Sequence, residues 1–169
     1  LYYHNKKVER ISAGGAHSFI VTVDKKVYAF GENSYGQLGL NDTINRPVPI
    51  QIVTTSITKI NRVVAGSNHS LILTYDGKIY SFGACTRGEL GLGDHSQSSF
   101  NNYIPNEINA KHFNYDQIIQ VSAGRLHTLA LTKNDNIYVF GRNSNGQLGI
   151  NNGNESEYEP VMIDEKYFK

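Results

Sequence analysis

The chain has 169 residues, 39% hydrophobic and 18% charged, with 16 Lys plus Arg against 15 Asp plus Glu and a formal net charge of +1. That is a globular composition long enough for a real core, with no run near the roughly 18 apolar residues a membrane span needs and without the basic excess expected of a phosphate-gripping nucleic-acid binder. The single cysteine, Cys85, excludes an intrachain disulfide and a cysteine-rich zinc site.

No apolar segment with basic flanks stands at the N-terminus, so no signal peptide is visible. The start at Leu1 points to a longer parent chain. One cysteine fits an intracellular protein, in cytoplasm or nucleus, with no membrane association expected.

In chain order, Ile11-Ser12-Ala13-Gly14 reads as a short strand ending in a small residue and a glycine. A second run starts at His17, with Phe19, Val21 and Val23 on one face and Ser18, Ile20 and Thr22 on the other. A period of two is the strand signature. Val27-Tyr28-Ala29-Phe30 is a third run, and a glycine-rich loop leads to a fourth, Pro47-Val48-Pro49-Ile50. Proline cannot donate to a ladder, so the fourth run suits an outer edge. The order then begins again. Val63-Val64-Ala65-Gly66, Leu71 with Leu73, the turn Tyr75-Asp76-Gly77-Lys78, Ile79-Tyr80-Ser81-Phe82 and Ile104-Pro105 form the second set. Val121-Ser122-Ala123-Gly124, Leu129 with Leu131, Ile137-Tyr138-Val139-Phe140 and Pro160-Val161-Met162 form the third. Helical periodicity is absent throughout.

The three sets share one spacing. Gly14, His17, Gly31, Gly36 and Gly39 recur as Gly66, His69, Gly83, Gly88 and Gly91, and again as Gly124, His127, Gly141, Gly146 and Gly149. Successive copies are offset by 52 and then 58 residues, and the extra six fall between Gly91 and Gly124. Four strands per copy, small residues at one edge and prolines at the other, predict an all-β fold of three four-stranded antiparallel β-propeller blades, roughly 1–54, 55–115 and 116–169, in an incomplete propeller. A sandwich of many short strands is the rival. The fixed glycine–histidine spacing favours blades.

The segments Gly31-Glu-Asn-Ser-Tyr-Gly-Gln-Leu-Gly-Leu40, Gly83-Ala-Cys-Thr-Arg-Gly-Glu-Leu-Gly-Leu-Gly-Asp94 and Gly141-Arg-Asn-Ser-Asn-Gly-Gln-Leu-Gly-Ile150 resemble the signature of the regulator of chromosome condensation repeat family. So do Gly14-Gly-Ala-His-Ser18, Gly66-Ser-Asn-His-Ser70 and Gly124-Arg-Leu-His-Thr128. The resemblance covers nearly the whole chain and implies three blades of a seven-bladed propeller. It implies a protein–protein interaction scaffold, completed by remaining blades of a parent chain or by a second copy. The alternatives it offers are guanine-nucleotide exchange on a Ran-like small GTPase and chromatin binding through histones. A plant ultraviolet receptor also belongs to the family, but that role needs tryptophan and this chain has none. The exchange-factor branch uses a wedge-like insertion, and none maps onto His95 to Tyr115. Direct sequence-specific contact with nucleic acid is not expected.

No chemistry is expected beyond binding. His17, His69 and His127 recur once per blade, which suits structural hydrogen bonding rather than a metal. The glycine-rich loops run from strand to strand and lack the Gly-Lys-Ser/Thr ending of a phosphate loop. Asp94 and His95 lack a nucleophile to complete a triad, and Cys85, aligned with Asn33 and Asn143, reads as an inert substitution. The reading is therefore no enzyme, no cofactor and no metal. Positions alike in all copies are scaffold, while loops where the copies differ are free to recognise partners. These are Tyr35/Arg87/Asn145, Gly15/Ser67/Arg125 and Glu32/Ala84/Arg142, all on one face, and Tyr35, Arg87, Arg125, Arg142 and Asn145 are the candidate partner-binding residues.

Overall fold

The computed structural model describes residues 7–54, 56–93 and 102–168. Its strands are β1 (Val8–Ala13), β2 (His17–Thr22), β3 (Val27–Gly31), β4 (Arg46–Gln51), β5 (Ile60–Ala65), β6 (His69–Thr74), β7 (Ile79–Gly83), β8 (Asn102–Glu107), β9 (Ile118–Ala123), β10 (His127–Thr132), β11 (Ile137–Arg142) and β12 (Ser156–Met162). They form three antiparallel four-stranded meanders, β1–β4, β5–β8 and β9–β12. The fold is all-β, and each sheet is a blade. The first strands face one another, β5 packing on β1 and on β9, so they stand nearest the axis.

Register is the same in each blade because the local chemistry is the same. His17 pairs with Gly31, His69 with Gly83 and His127 with Gly141. At Gly31, Gly83 and Gly141 the third strand bulges against the fourth, and φ lies at +104°, +103° and +106°. A side chain at Gly31 would stand 2.8 Å from His17 Cα, so the bulge needs glycine twice over. Thr22, Thr74 and Thr132 close the next turn, their hydroxyls accepting from the backbone N–H of Lys26, Lys78 and Asn136. Those contacts explain why threonine recurs there.

Burial along the second strands shows how the blades stack. β6, in the middle blade, is buried at all six positions. In β2 Ser18 and Ile20 are only half-buried, and in β10 it is His127, Leu129 and Leu131. Period-two alternation thus survives only where one face lacks a neighbouring blade. Between blades the core falls into two clusters. Phe19, Val21 and Val27 meet Ile72 and Phe82, and Leu71, Leu73 and Ile79 meet Ala130, Tyr138 and Phe140.

The histidines join the blades. His17 Nε2 lies 2.9 Å from Ser70 Oγ, and Ser70 in turn donates to the Gln37 carbonyl at 2.8 Å. His69 Nε2 lies 3.1 Å from Thr128 Oγ1, which donates to the Glu89 carbonyl at 3.0 Å. Each hydroxyl has spent its proton on a carbonyl, so the imidazole Nε2–H must donate to it. One hydroxyl from each following blade is thereby clamped between two groups of the blade before. Burial pulls the pKa of His17 from 6.5 down to about 4 and that of His69 to about 3, keeping both rings neutral.

Three details differ from the sequence reading. Two 3-10 turns, Ala110–Phe113 and Glu165–Phe168, are present; four residues are too few to show a helical period. The extra residues of the second copy do not form one loop. Tyr28 pairs with Gln51 but Tyr80 with Glu107, four residues further along, so β7–β8 holds most of them and β8–β9 the rest. Finally, Ala84 is buried and Arg142 ends β11, so neither belongs to a solvent loop as expected. β11 runs one residue past the equivalent ends of β3 and β7, while Ala84 follows β7 with its small side chain buried. Asp94, His95 and Asn101 lie outside the described residues.

Candidate protein-interaction surface

A four-stranded meander puts the turns after its first and third strands at one end. Tyr35, Arg87 and Asn145 occupy the same slot in the three β3–β4-type loops. In each, the backbone N–H donates to the side chain two residues on: Gln37 at 2.9 Å, Glu89 at 2.6 Å and Gln147 at 2.9 Å. Glu89 is fully buried, and that burial raises its carboxyl pKa against the opposing hydrogen bonds. Beneath the slot Asn33 and Asn143 accept from the N–H of Leu38 and Leu148 and anchor the loop with their amides. Tyr35, Arg87 and Asn145 themselves are exposed on this rigid base.

Arg125 lies exposed in the β9–β10 turn, and the Arg142 N–H donates to the Leu126 carbonyl at 2.7 Å. That bond brings Arg142 beside the turn holding Arg125. The Arg142 Nε donates to Ser144 Oγ at 2.6 Å. Among the described residues none of Arg87, Arg125 and Arg142 makes an ion pair. At the opposite end Lys25 pairs with Glu9 at 2.5 Å, Lys26 with Asp24 at 3.6 Å and Lys78 with Glu107 at 3.0 Å. The arginine end therefore offers unspent positive charge, while Lys25, Lys26 and Lys78 at the other end have acidic partners within the fold.

Sequence reasoning missed one feature of this surface. Arg87 borders a groove of about 800 Å³ whose far wall, on and before β12, carries Glu155, Glu157 and Glu159. The alternation Glu-Ser-Glu-Tyr-Glu over 155–159 was visible, but nothing local joins it to Arg87, which lies in the preceding blade. Among the described residues no group of three His, Cys, Asp or Glu could hold a metal ion, and no helix is long and apolar enough to cross a membrane.

A family model described as the regulator of chromosome condensation (RCC1) repeat matches residues 24–73 and 76–131, and a second of the same description matches 8–37, 60–89 and 118–147. The chain belongs to the RCC1 repeat family. Its RCC1 repeats are 34% identical over 157 residues to the ultraviolet-B receptor UVR8 of Arabidopsis thaliana, covering 93% of this chain and 34% of the receptor. They are 36% identical over 154 residues to human HERC6, named a probable E3 ubiquitin-protein ligase, covering 90% of this chain but only 14% of that protein. Among solved structures, Prp20p of Saccharomyces cerevisiae aligns with a TM-score of 0.81 at 26% identity, over 93% of this chain and 38% of that one. Prp20 has been crystallised bound to Kap60, and its binding to Gsp1p and histones has been described. The RCC1 repeats here thus span about a third of the receptor and about a seventh of HERC6.

Proposed function

We propose that these RCC1 repeats are a non-enzymatic scaffold that docks a protein partner, of the class of a small GTPase or a histone assembly, on the arginine-bearing end of the blades. One observation carries the reading: Tyr35, Arg87, Arg125 and Asn145, where the copies differ, are exposed at that end, and Arg87, Arg125 and Arg142 make no ion pair among the described residues. His17, His69, Leu38, Leu90 and Leu148 are within the core. Tyr35, Arg87, Arg125 and Asn145 are exposed, with Arg142 half-buried beside them. Arginine and tyrosine are the side chains enriched at interface hot spots, and an unpaired guanidinium can grip a carboxylate bidentately. The binding of Gsp1p and histones by Prp20p lends the partner class.

The test is a calorimetric titration against Gsp1p and, separately, against histones. Replacing Arg87, Arg125 and Arg142 together by alanine should weaken binding at least tenfold and leave the melting temperature nearly unchanged. The matching change of Lys25, Lys26, Lys78 and Lys133 should have little effect. Loss of binding in the lysine set alone would put the partner on the other end. A stopped-flow assay of nucleotide release from Gsp1p should show no acceleration by this chain; stimulation by tens-fold would replace the scaffold with an exchange factor.

A further inference from the structure

The three loops that follow the third strands share a backbone turn but not their anchors. In each, a glycine N–H (Gly39, Gly91 or Gly149) donates to the carbonyl of the glycine three residues before it at 3.0 Å. In the first and third blades a buried asparagine closes the loop. Asn33 Oδ1 accepts from the Leu38 N–H at 2.9 Å and Asn143 Oδ1 from the Leu148 N–H at 3.1 Å. Their amide nitrogens donate across the loop to the carbonyls of Asp42 at 2.8 Å and Asn154 at 3.0 Å. Cys85 stands at this position in the second blade, and a thiol is a weak donor and a weak acceptor.

The second blade also departs at the next anchor. Gln37 and Gln147 each accept from one backbone N–H, those of Tyr35 and Asn145, both at 2.9 Å. The amide nitrogen of Gln37 is buried with no hydrogen-bond partner among the described residues. Donors converge at this position, so a group with two acceptor oxygens suits it better than an amide. Glu89 is that group. It is fully buried and uses both oxygens, Oε2 accepting from the Arg87 N–H at 2.6 Å and Oε1 from the Thr86 hydroxyl at 3.2 Å. The equivalent hydroxyls of Ser34 and Ser144 donate elsewhere, to Glu32 and Asn145. The Glu89 carbonyl accepts from Thr128 Oγ1 at 3.0 Å, which ties the anchor to the third blade. Both replacements therefore sit where the neighbouring blades on either side belong to this chain.

We propose that Glu89 is the positioning residue of the second blade: where cysteine stands in place of the anchoring asparagine, its carboxylate takes over the loop through Thr86 and Arg87 and holds Arg87 ready for an acidic partner. Docking rests on the surface proposed above; the anchor does not. Hydrogen bonds to a carboxylate are stronger than those to an amide, and a loop fixed beforehand loses less freedom on binding. Glu89 thus raises affinity without touching the partner.

The chains to compare are the wild type, Glu89→Gln, and Glu89→Gln combined with Cys85→Asn. Glutamine and asparagine are what the sister blades carry at these positions. By NMR of the free protein, the Arg87 amide proton of the wild type should resonate downfield of those of Tyr35 and Asn145. Glu89→Gln should bring it into their range and speed its exchange with solvent about tenfold. Adding Cys85→Asn should restore slow exchange but not the downfield position. In titrations against Gsp1p and against histones, Glu89→Gln should weaken binding about fivefold, the double variant should recover it, and the melting temperature should hardly move. An Arg87 signal and exchange rate that Glu89→Gln leaves unchanged would overturn the anchor, as would a double variant that exchanges as fast as Glu89→Gln. A wild type that binds neither protein while its Arg87 amide responds as described would sink the docking surface and uphold the anchor.

Discussion

Gly36, Gly88 and Gly146 occupy one repeat position with φ at +77°, +82° and +74°, but their surroundings differ. A Cβ on Gly36 would stand 2.8 Å from Tyr103 Cα, and one on Gly88 2.8 Å from Tyr158 Cα, whereas Gly146 has nothing within 4 Å. Gly146→Ala should therefore cost only the backbone strain, about 1–2 kcal/mol, and the same change at Gly36 or Gly88 at least twice that, read from denaturant melts. Equal costs at all three would mean that the inter-blade contact is not felt. The histidines make a second residue-scale prediction. His17 and His69 stay neutral in the fold with pKa values of about 4 and about 3, while the unfolded chain titrates near 6.5. Below 6.5 the unfolded state binds protons that the folded state refuses, so stability falls with pH through that window. Between about pH 7 and about pH 5 the loss should be roughly 2 kcal/mol per buried histidine. Urea melts of His69→Gln should show a shallower pH slope, and an unchanged slope would count against burial as the source.

At the scale of elements, the three second strands are near-copies that differ in how many faces they bury. Leu71 on β6 is fully buried and sits in the core shared with the last blade, while Leu129 on β10 faces the open side and is half-buried. Leu71→Ala should cost about 2–5 kcal/mol, and Leu129→Ala about 1 kcal/mol, nearer the value for partial transfer from water. The contrast measures the neighbouring blade, since the strands share register and length. The loops after the third strands are anchored unequally as well. Asn33 and Asn143 tie their loops to the blade through amide hydrogen bonds, while the second blade has Cys85, whose thiol lacks the carbonyl and NH2 pair.

For the whole molecule, stacking makes stability a sum of blade terms and nearest-neighbour terms. The middle blade has two neighbours and each outer blade has one within the chain. Amide hydrogen exchange should therefore be slowest in β5 to β7 and faster in β1 to β3 and β9 to β11, because local opening tracks local contact.

The sequence alone determined the blade count, the strand order within each blade, the proline-bearing outer edge and the histidine–glycine register, since each rests on local patterns a few residues long. A period of two, a positive-φ glycine and a proline without an N–H act within one strand or turn, and three copies make the pattern unmistakable. Tertiary structure decided which side chains meet across blades. The His17–Ser70 and His69–Thr128 contacts join residues 53 and 59 positions apart, and no local rule selects a hydroxyl at that distance. The same holds for the glutamates of β12 facing Arg87, and for Arg142 as a strand residue tied to Leu126 rather than a loop tip. These contacts arise only when one sheet is laid on the next, because packing between blades is set by the stacked surfaces and not by the order of residues along either one.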